Sequence, residues 1–276
     1  MPHILVVANQ TIAGATLLGL IKERAQEPET TFTLVVPMTR PHSGYVIYDE
    51  AVRDSAQARL DLTLSYLRRE GVVASGELGD PDPHAATLDA LGEHRPDEII
   101  ISTLPQSSSG WLRRDLIERI QDAASAPVTH VISDMDAEGL PFELTLVVAN
   151  VTAGRGVLRG RMKEIAAEHD DMLFIIVVPQ GAGDGRAAAV ARARLGNTLD
   201  RMRGDGLLVA GMIGDPDPYT ATMNALQFYR VSRIIISTLP VTRSGWMRAD
   251  LIARVSKASN IEVEHVVAEP EPAKAR

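Results

Sequence analysis

Cysteine is absent from the 276 residues, which removes disulfides, thiolate catalysis and cysteine-ligated metals together. No apolar run approaches the length that crosses a bilayer, and the opening "MPHILVVAN" enters an apolar strand with no basic leader before it. A soluble, cytoplasmic protein is expected. Basic residues are outnumbered 36 to 28 by acidic ones, a net charge of −8, so a duplex backbone or an anionic membrane is a poor partner. Also missing are a Ser-His-Asp order, a paired-carboxylate motif, a Walker lysine and histidine-rich metal spacing. Serines near helix starts have no base set beside them by the sequence. The chain reads as non-catalytic, and slow nucleotide hydrolysis is the weakest alternative.

What the chain does have is a long repeat. "IIISTLPQSSSGW" (Ile99 to Trp111) returns as "IIISTLPVTRSGW" (Ile234 to Trp246), and "LVVAN" occurs at Leu5 to Asn9 and again at Leu146 to Asn150. Aligning Gly79 to Ile120 with Gly214 to Val255 gives 25 identities in 42 positions. A period of this size suits a whole small domain rather than a solenoid unit. The expected domains are 1–135 and 142–268, with a seam in "SDMDAEGLPF" where charge, glycine and proline interrupt the periodic segments. The tail "AEPEPAKAR" has the composition of a disordered segment.

Within each copy, short apolar runs alternate with amphipathic stretches. The runs Ile4 to Ala8, Phe32 to Val36, Val72 to Leu78, Glu98 to Ser102 and Pro127 to Ile132 read as buried parallel strands. Ala13 to Ala25, Tyr48 to Glu70, Pro83 to Glu93 and Leu112 to Asp122 read as helices. The second copy repeats the strands near Leu144 to Ala149, Leu173 to Val178, Leu207 to Ile213, Arg233 to Ser237 and Glu262 to Val267. Right-handed crossovers then give an α/β fold of two tandem Rossmann-like domains, each a five-stranded parallel sheet of order 3-2-1-4-5 flanked by helices. Ligands of such sheets bind beyond the strand carboxyl ends, where strands 1 and 4 part.

The residues shared by the two copies fall at that crevice. They are Asn9 and Thr11 with Asn150 and Thr152 after strand 1, Pro37 and Pro179 ending strand 2, and Gly79-Asp80 and Gly214-Asp215 after strand 3. Strand 4 adds Ser102-Thr103 and Ser237-Thr238, and the next turn adds Ser109-Gly110-Trp111 and Arg243-Ser244-Gly245-Trp246. Free N–H groups at the helix following "SGW" would favour an anion, with Arg243 as a cation in the second copy. Simpler roles compete with each. Ser109 and Ser244 suit helix N-caps, Asn-x-Thr suits turn satisfaction, and "DPDP" carries an N-cap aspartate with a first-turn proline. Gly79 and Gly214 would let a ribose sit close, while Trp111 and Trp246 suit packing anchors better than stacking platforms.

The "GDPDP" turn, the "IIIST" fourth strand, the helix opening after "SGW" and the closing "THVI" and "EHVV" strands resemble the universal stress protein superfamily in its tandem-domain form, within the adenine nucleotide alpha hydrolase-like folds. The resemblance spans nearly the whole chain and implies a stress-response protein that binds ATP or AMP, with domains pairing through their last strands, in the chain or in a further homodimer. It also implies an Asp ending strand 1 and a Gly-x-x-Gly-x9-Gly-Ser/Thr phosphate loop after strand 4. Here Asn9 and Asn150 replace the Asp, Ser102 and Pro105 occupy the glycine positions, and Asp115 and Asp250 fall near the terminal Gly-Ser. A Cβ blocks the approach of phosphate to backbone N–H groups, proline has no N–H, and an aspartate repels a triphosphate. An adenine nucleotide is the first ligand to test. The rival is an interaction module that kept the fold and lost the nucleotide.

His130 and His265 occupy matching places in the fifth strands, without carboxylate or cysteine partners at ligand spacing, so no metal is expected there. The copies differ most after strand 2. Thirty-four positions separate Pro37 from Gly71, but 27 separate Pro179 from Gly206, and the longer loop carries Arg40, His42, Tyr45 and Tyr48. A loop there can fold over the crevice, so the two copies are expected to bind differently or only one to be occupied; the alternative is a flexible surface loop with no ligand role.

Overall fold

The computed structural model describes residues 1–39, 49–105, 115–169, 171–181, 185–240 and 250–268. Packing divides the chain into two compact units, Met1–Pro141 and Phe142 onward.

In the first unit the strands are β1 (His3–Val7), β2 (Thr31–Pro37), β3 (Ala74–Gly79), β4 (Glu98–Thr103) and β5 (Val128–Ile132). The helices are α1 (Ala15–Arg24), α2 (Asp49–Arg69), α3 (Pro83–His94) and α4 (Leu116–Ala123), with a single turn, α5 (Met135–Glu138), after β5. The sheet is parallel throughout, in the order β3-β2-β1-β4-β5. Its central strands carry unbroken apolar runs, Ile4–Val7 in β1, Leu34–Val36 in β2 and Ile99–Ile101 in β4, because helices cover both faces. Leu5, Val7, Ile99 and Ile101 pack with Ala86 of α3 and Ile120 of α4 on one face.

The second unit repeats the plan with β6 (Glu143–Ala149), β7 (Met172–Pro179), β8 (Val209–Gly214), β9 (Arg233–Thr238) and β10 (Glu262–Val267). Its helices are α6 (Gly156–Glu168), α7 (Gly185–Gly204), α8 (Pro218–Phe228) and α9 (Leu251–Ser259), and its sheet order is β10-β9-β6-β7-β8, the same 3-2-1-4-5 arrangement. Among the described residues no helix is long and apolar enough to cross a membrane.

One element starts later than its periodicity predicts. The helix expected from Leu112 begins at Leu116, after Asp115 in the left-handed region (φ 49°), and Asp250 holds the same place before α9. No side chain caps either helix from these positions. Residues 112–114 of the expected helix lie outside the described residues; the three charged residues of "RRD" carry the apolar spacing poorly, and the buried stripe of α4 is Leu116 and Ile120.

Candidate functional site

The carboxyl ends of strands 1 and 4 come together in both units, as the repeat predicts. Thr11 donates its hydroxyl to the Ser102 carbonyl (3.1 Å), and Thr152 does the same to Ser237 (3.0 Å). The turn after strand 1 is thereby tied to the end of strand 4. Asn9, Thr11, Ser102 and Thr103 are all buried, as are Thr152, Ser237 and Thr238, whereas Asn150 is half-buried.

Two arginines that sequence reasoning missed meet the asparagines. Arg59 of α2 donates from Nη2 to Asn9 Oδ1 at 2.5 Å, and Arg194 of α7 donates from Nη1 to Asn150 Oδ1. Since a guanidinium can only donate, Oδ1 must face it and the amide nitrogen must face the other way. There Asn9 Nδ2 donates to Thr39 Oγ1 (2.7 Å), and Asn150 Nδ2 donates to the Pro179 carbonyl (3.0 Å). A carboxylate at position 150 would oppose that carbonyl with a second lone pair, so the amide has a structural reason of its own. A signal was available: Ala58 to Gly71 aligns with Ala193 to Gly206 at the same offset as the later repeat, with 7 identities in 14 positions including both arginines.

The units differ in how tightly this corner is closed. Arg59 is 5% exposed and so is Asn9, while Arg194 and Asn150 are half-buried. At the start of α1, Glu138 of the α5 turn accepts both the Thr16 backbone N–H (2.8 Å) and its hydroxyl. A carboxylate of the protein thus occupies the positive end of that helix. Arg155, the N-cap residue of α6, does not cap that helix with its own side chain. Deeper in the first unit, Ser102 Oγ meets Ser133 Oγ at 3.3 Å. Ala268 stands at the Ser133 position of the second unit, and the buried Ser237 Oγ has no hydrogen-bond partner among the described residues.

Gly79 and Gly214 serve packing. A Cβ on Gly79 would lie 2.6 Å from Ala86 Cβ and 2.9 Å from Val35 Cγ1; on Gly214 it would lie 2.7 Å from both Ala221 Cβ and Val177 Cγ1. The side expected to admit a ribose is filled by the following helix. Asp80 and Asp215 accept the backbone N–H of Asp82 (2.7 Å) and Asp217 (2.9 Å), which in turn cap α3 and α8. Pro37 and Pro179 end strand 2, and both of their carbonyls accept hydrogen bonds, from Thr39 and Asn150 respectively. The turn residues Ser109, Gly110, Trp111, Arg243, Ser244, Gly245 and Trp246, and the loop residues Arg40, His42, Tyr45 and Tyr48, lie outside the described residues.

Thr103 and Thr238 are engaged by the fifth-strand histidines, at 2.9 Å from His130 Nε2 and 2.8 Å from His265 Nε2. Thr238 gives its one hydroxyl proton to the Leu239 carbonyl (2.8 Å), so His265 must donate from Nε2. Burial holds both histidines below their ordinary pKa. The unfolded chain, whose histidines titrate near about 6.5, therefore takes up protons before the folded one does. Stability from these groups is complete above that value and is lost as pH falls through it. Urea unfolding at about pH 7.5 and 5.5 is expected to show a fall in stability for the wild type that is smaller in a His130→Gln, His265→Gln double variant.

No family model matches the chain, and no curated protein does. Among solved structures it is similar to a universal stress protein from Archaeoglobus fulgidus DSM 4304, with 13% identity and a TM-score of 0.36 over 98% of this chain and 97% of that one. A candidate universal stress protein from Pseudomonas aeruginosa UCBPP-PA14 shows 16% identity and a TM-score of 0.31 over 98% and 94%. The Escherichia coli ADP-heptose lipopolysaccharide heptosyltransferase II shows 9% identity and a TM-score of 0.27 over 86% and 78%. By its own element and strand order the chain is an α/β protein of two tandem Rossmann-like units, each a parallel five-stranded sheet of order 3-2-1-4-5 flanked by helices.

Proposed function

We propose that this chain is a non-catalytic binding protein of the cytoplasmic stress response whose second unit takes an anionic small molecule, an adenine nucleotide such as AMP or ATP being the first candidate. The observation that carries this reading is the half-buried Arg194 beside the half-buried Asn150 at the carboxyl end of the second sheet, against the buried Arg59 and Asn9 of the first. A guanidinium within reach of solvent offers paired donors to phosphate. The start of α6, which Arg155 does not cap with its own side chain, adds oriented N–H groups, and the buried Ser237 hydroxyl adds a polar group with no described partner. In the first unit Glu138 already holds the equivalent helix start, so that unit serves as the self-satisfied half of the pair.

Calorimetric titration with AMP and ATP tests the reading. Saturable binding of about one nucleotide per chain is expected, with Arg194→Ala weakening it at least about tenfold, the size of a lost charge-assisted hydrogen bond. No heat and no protection against unfolding at millimolar nucleotide would leave the interaction module as the better reading. That second reading draws on both asparagine amides being hydrogen-bonded by the protein itself at both ends.

A further inference from the structure

We propose that Glu77, Glu93 and His94 form a binding site for one divalent transition metal of the zinc class, at the β3 edge of the first sheet beside the carboxyl end of α3. One ligand atom from each of the three lies within 4.8 Å of the others. His94 Nε2 and Glu77 Oε1 are 3.2 Å apart. Two atoms each bound about 2.1 Å from a tetrahedral ion lie about 3.4 Å apart, so this pair already has the spacing of ligands on one metal. Glu93 is exposed and completes the set with a carboxylate oxygen within that same 4.8 Å. Three protein ligands leave the fourth position to water. One imidazole with two carboxylates suits zinc, cobalt or nickel, whereas magnesium and calcium favour all-oxygen sets.

The ligands are held by structure and not only by proximity. Helix α3 stops at His94 because Arg95 turns into the left-handed region (φ 41°), which presents Glu93 and His94 at the helix end beside edge strand β3. His3, the first residue of β1, contacts the His94 carbonyl through Nδ1 (3.2 Å) and Thr33 Oγ1 through Nε2 (3.0 Å). A carbonyl can only accept, so Nδ1 carries the proton, and in the neutral ring the Thr33 hydroxyl donates to Nε2. The His3 ring then stands edge-on to His94, with centroids 5.9 Å apart, and pins the turn that carries the imidazole ligand, as outer-shell partners do in metal sites.

The repeat supplies an internal control. The aligned positions of the second unit are Met212, Phe228 and Tyr229, none of which makes a zinc site. One ion per chain is therefore expected, independently of any nucleotide. Equilibrium dialysis of the full chain against ZnCl2, repeated with MgCl2 in hundredfold excess, reads the site directly. The expected result is one zinc bound per chain, undisturbed by magnesium, with His94→Asn and the exposed Glu93→Gln each weakening binding at least about tenfold. Zinc should also raise the Tm of the wild type by several degrees and leave that of His94→Asn unchanged. Absence of bound zinc at about 100 μM, equal binding by His94→Asn and Glu93→Gln, or full competition by magnesium each overturns the proposal and leaves an ordinary histidine–glutamate pair.

Discussion

Arg59→Ala is expected to lower the unfolding free energy by about 3 kcal/mol, while Arg194→Ala costs about 1 kcal/mol. The two changes delete the same atoms from aligned positions that differ in burial. At Asn9 the lost bond is charge-assisted and the amide oxygen is left without water to replace it, a penalty of about 1.5–3 kcal/mol, with the packing of the arginine stem added. At Asn150 solvent reaches both partners and re-forms part of what is lost. Urea unfolding of the two variants with unchanged m values checks this. Equal losses would mean that the two corners are equally closed, and the assignment of ligand binding to the second unit would lose its main support.

Gly79→Ala and Gly214→Ala should each cost about 1–3 kcal/mol, since a single methyl at 2.6–2.7 Å from a helix Cβ forces the helix off the sheet. Gly92→Ala, on the same helix that Gly79 touches, is the matched control. Nothing lies within 4 Å of its added Cβ, and exchanging glycine for alanine in a helix gains up to about 1 kcal/mol. The shift of the urea midpoint should therefore have opposite signs in Gly79→Ala and Gly92→Ala. A neutral Gly79→Ala would show that room exists at that turn, which is the condition that close approach of a ribose requires.

Strand positions were legible because the central strands are covered on both sides, which turns burial into unbroken apolar runs such as "ILVVA" and "FIIVV". The repeat made the corner legible too, placing Asn9, Thr11, Ser102 and Thr103 together in one copy and their counterparts in the other. Helix α4 was less legible. Its start depends on the backbone of Asp115, which a pattern of apolar residues does not record. Arg59 and Arg194 were passed over since a charged residue on an amphipathic helix reads as solvated, although their neighbours Leu60 and Leu195 face the core.

The sequence alone determined that there are two parallel α/β units, that their crevice corners are built from the same residues, and that thiol and disulfide chemistry is excluded. These follow from composition and periodicity, which act locally along the chain. Tertiary structure alone decided that each asparagine is held by an arginine some 44 to 50 residues away, that Glu138 covers the start of α1 and that Glu77 meets His94. Such contacts depend on where helices of different length come to rest against a sheet, and the free energy of burying a charge or pairing a carboxylate is set by that three-dimensional neighbourhood, about which residue order says nothing.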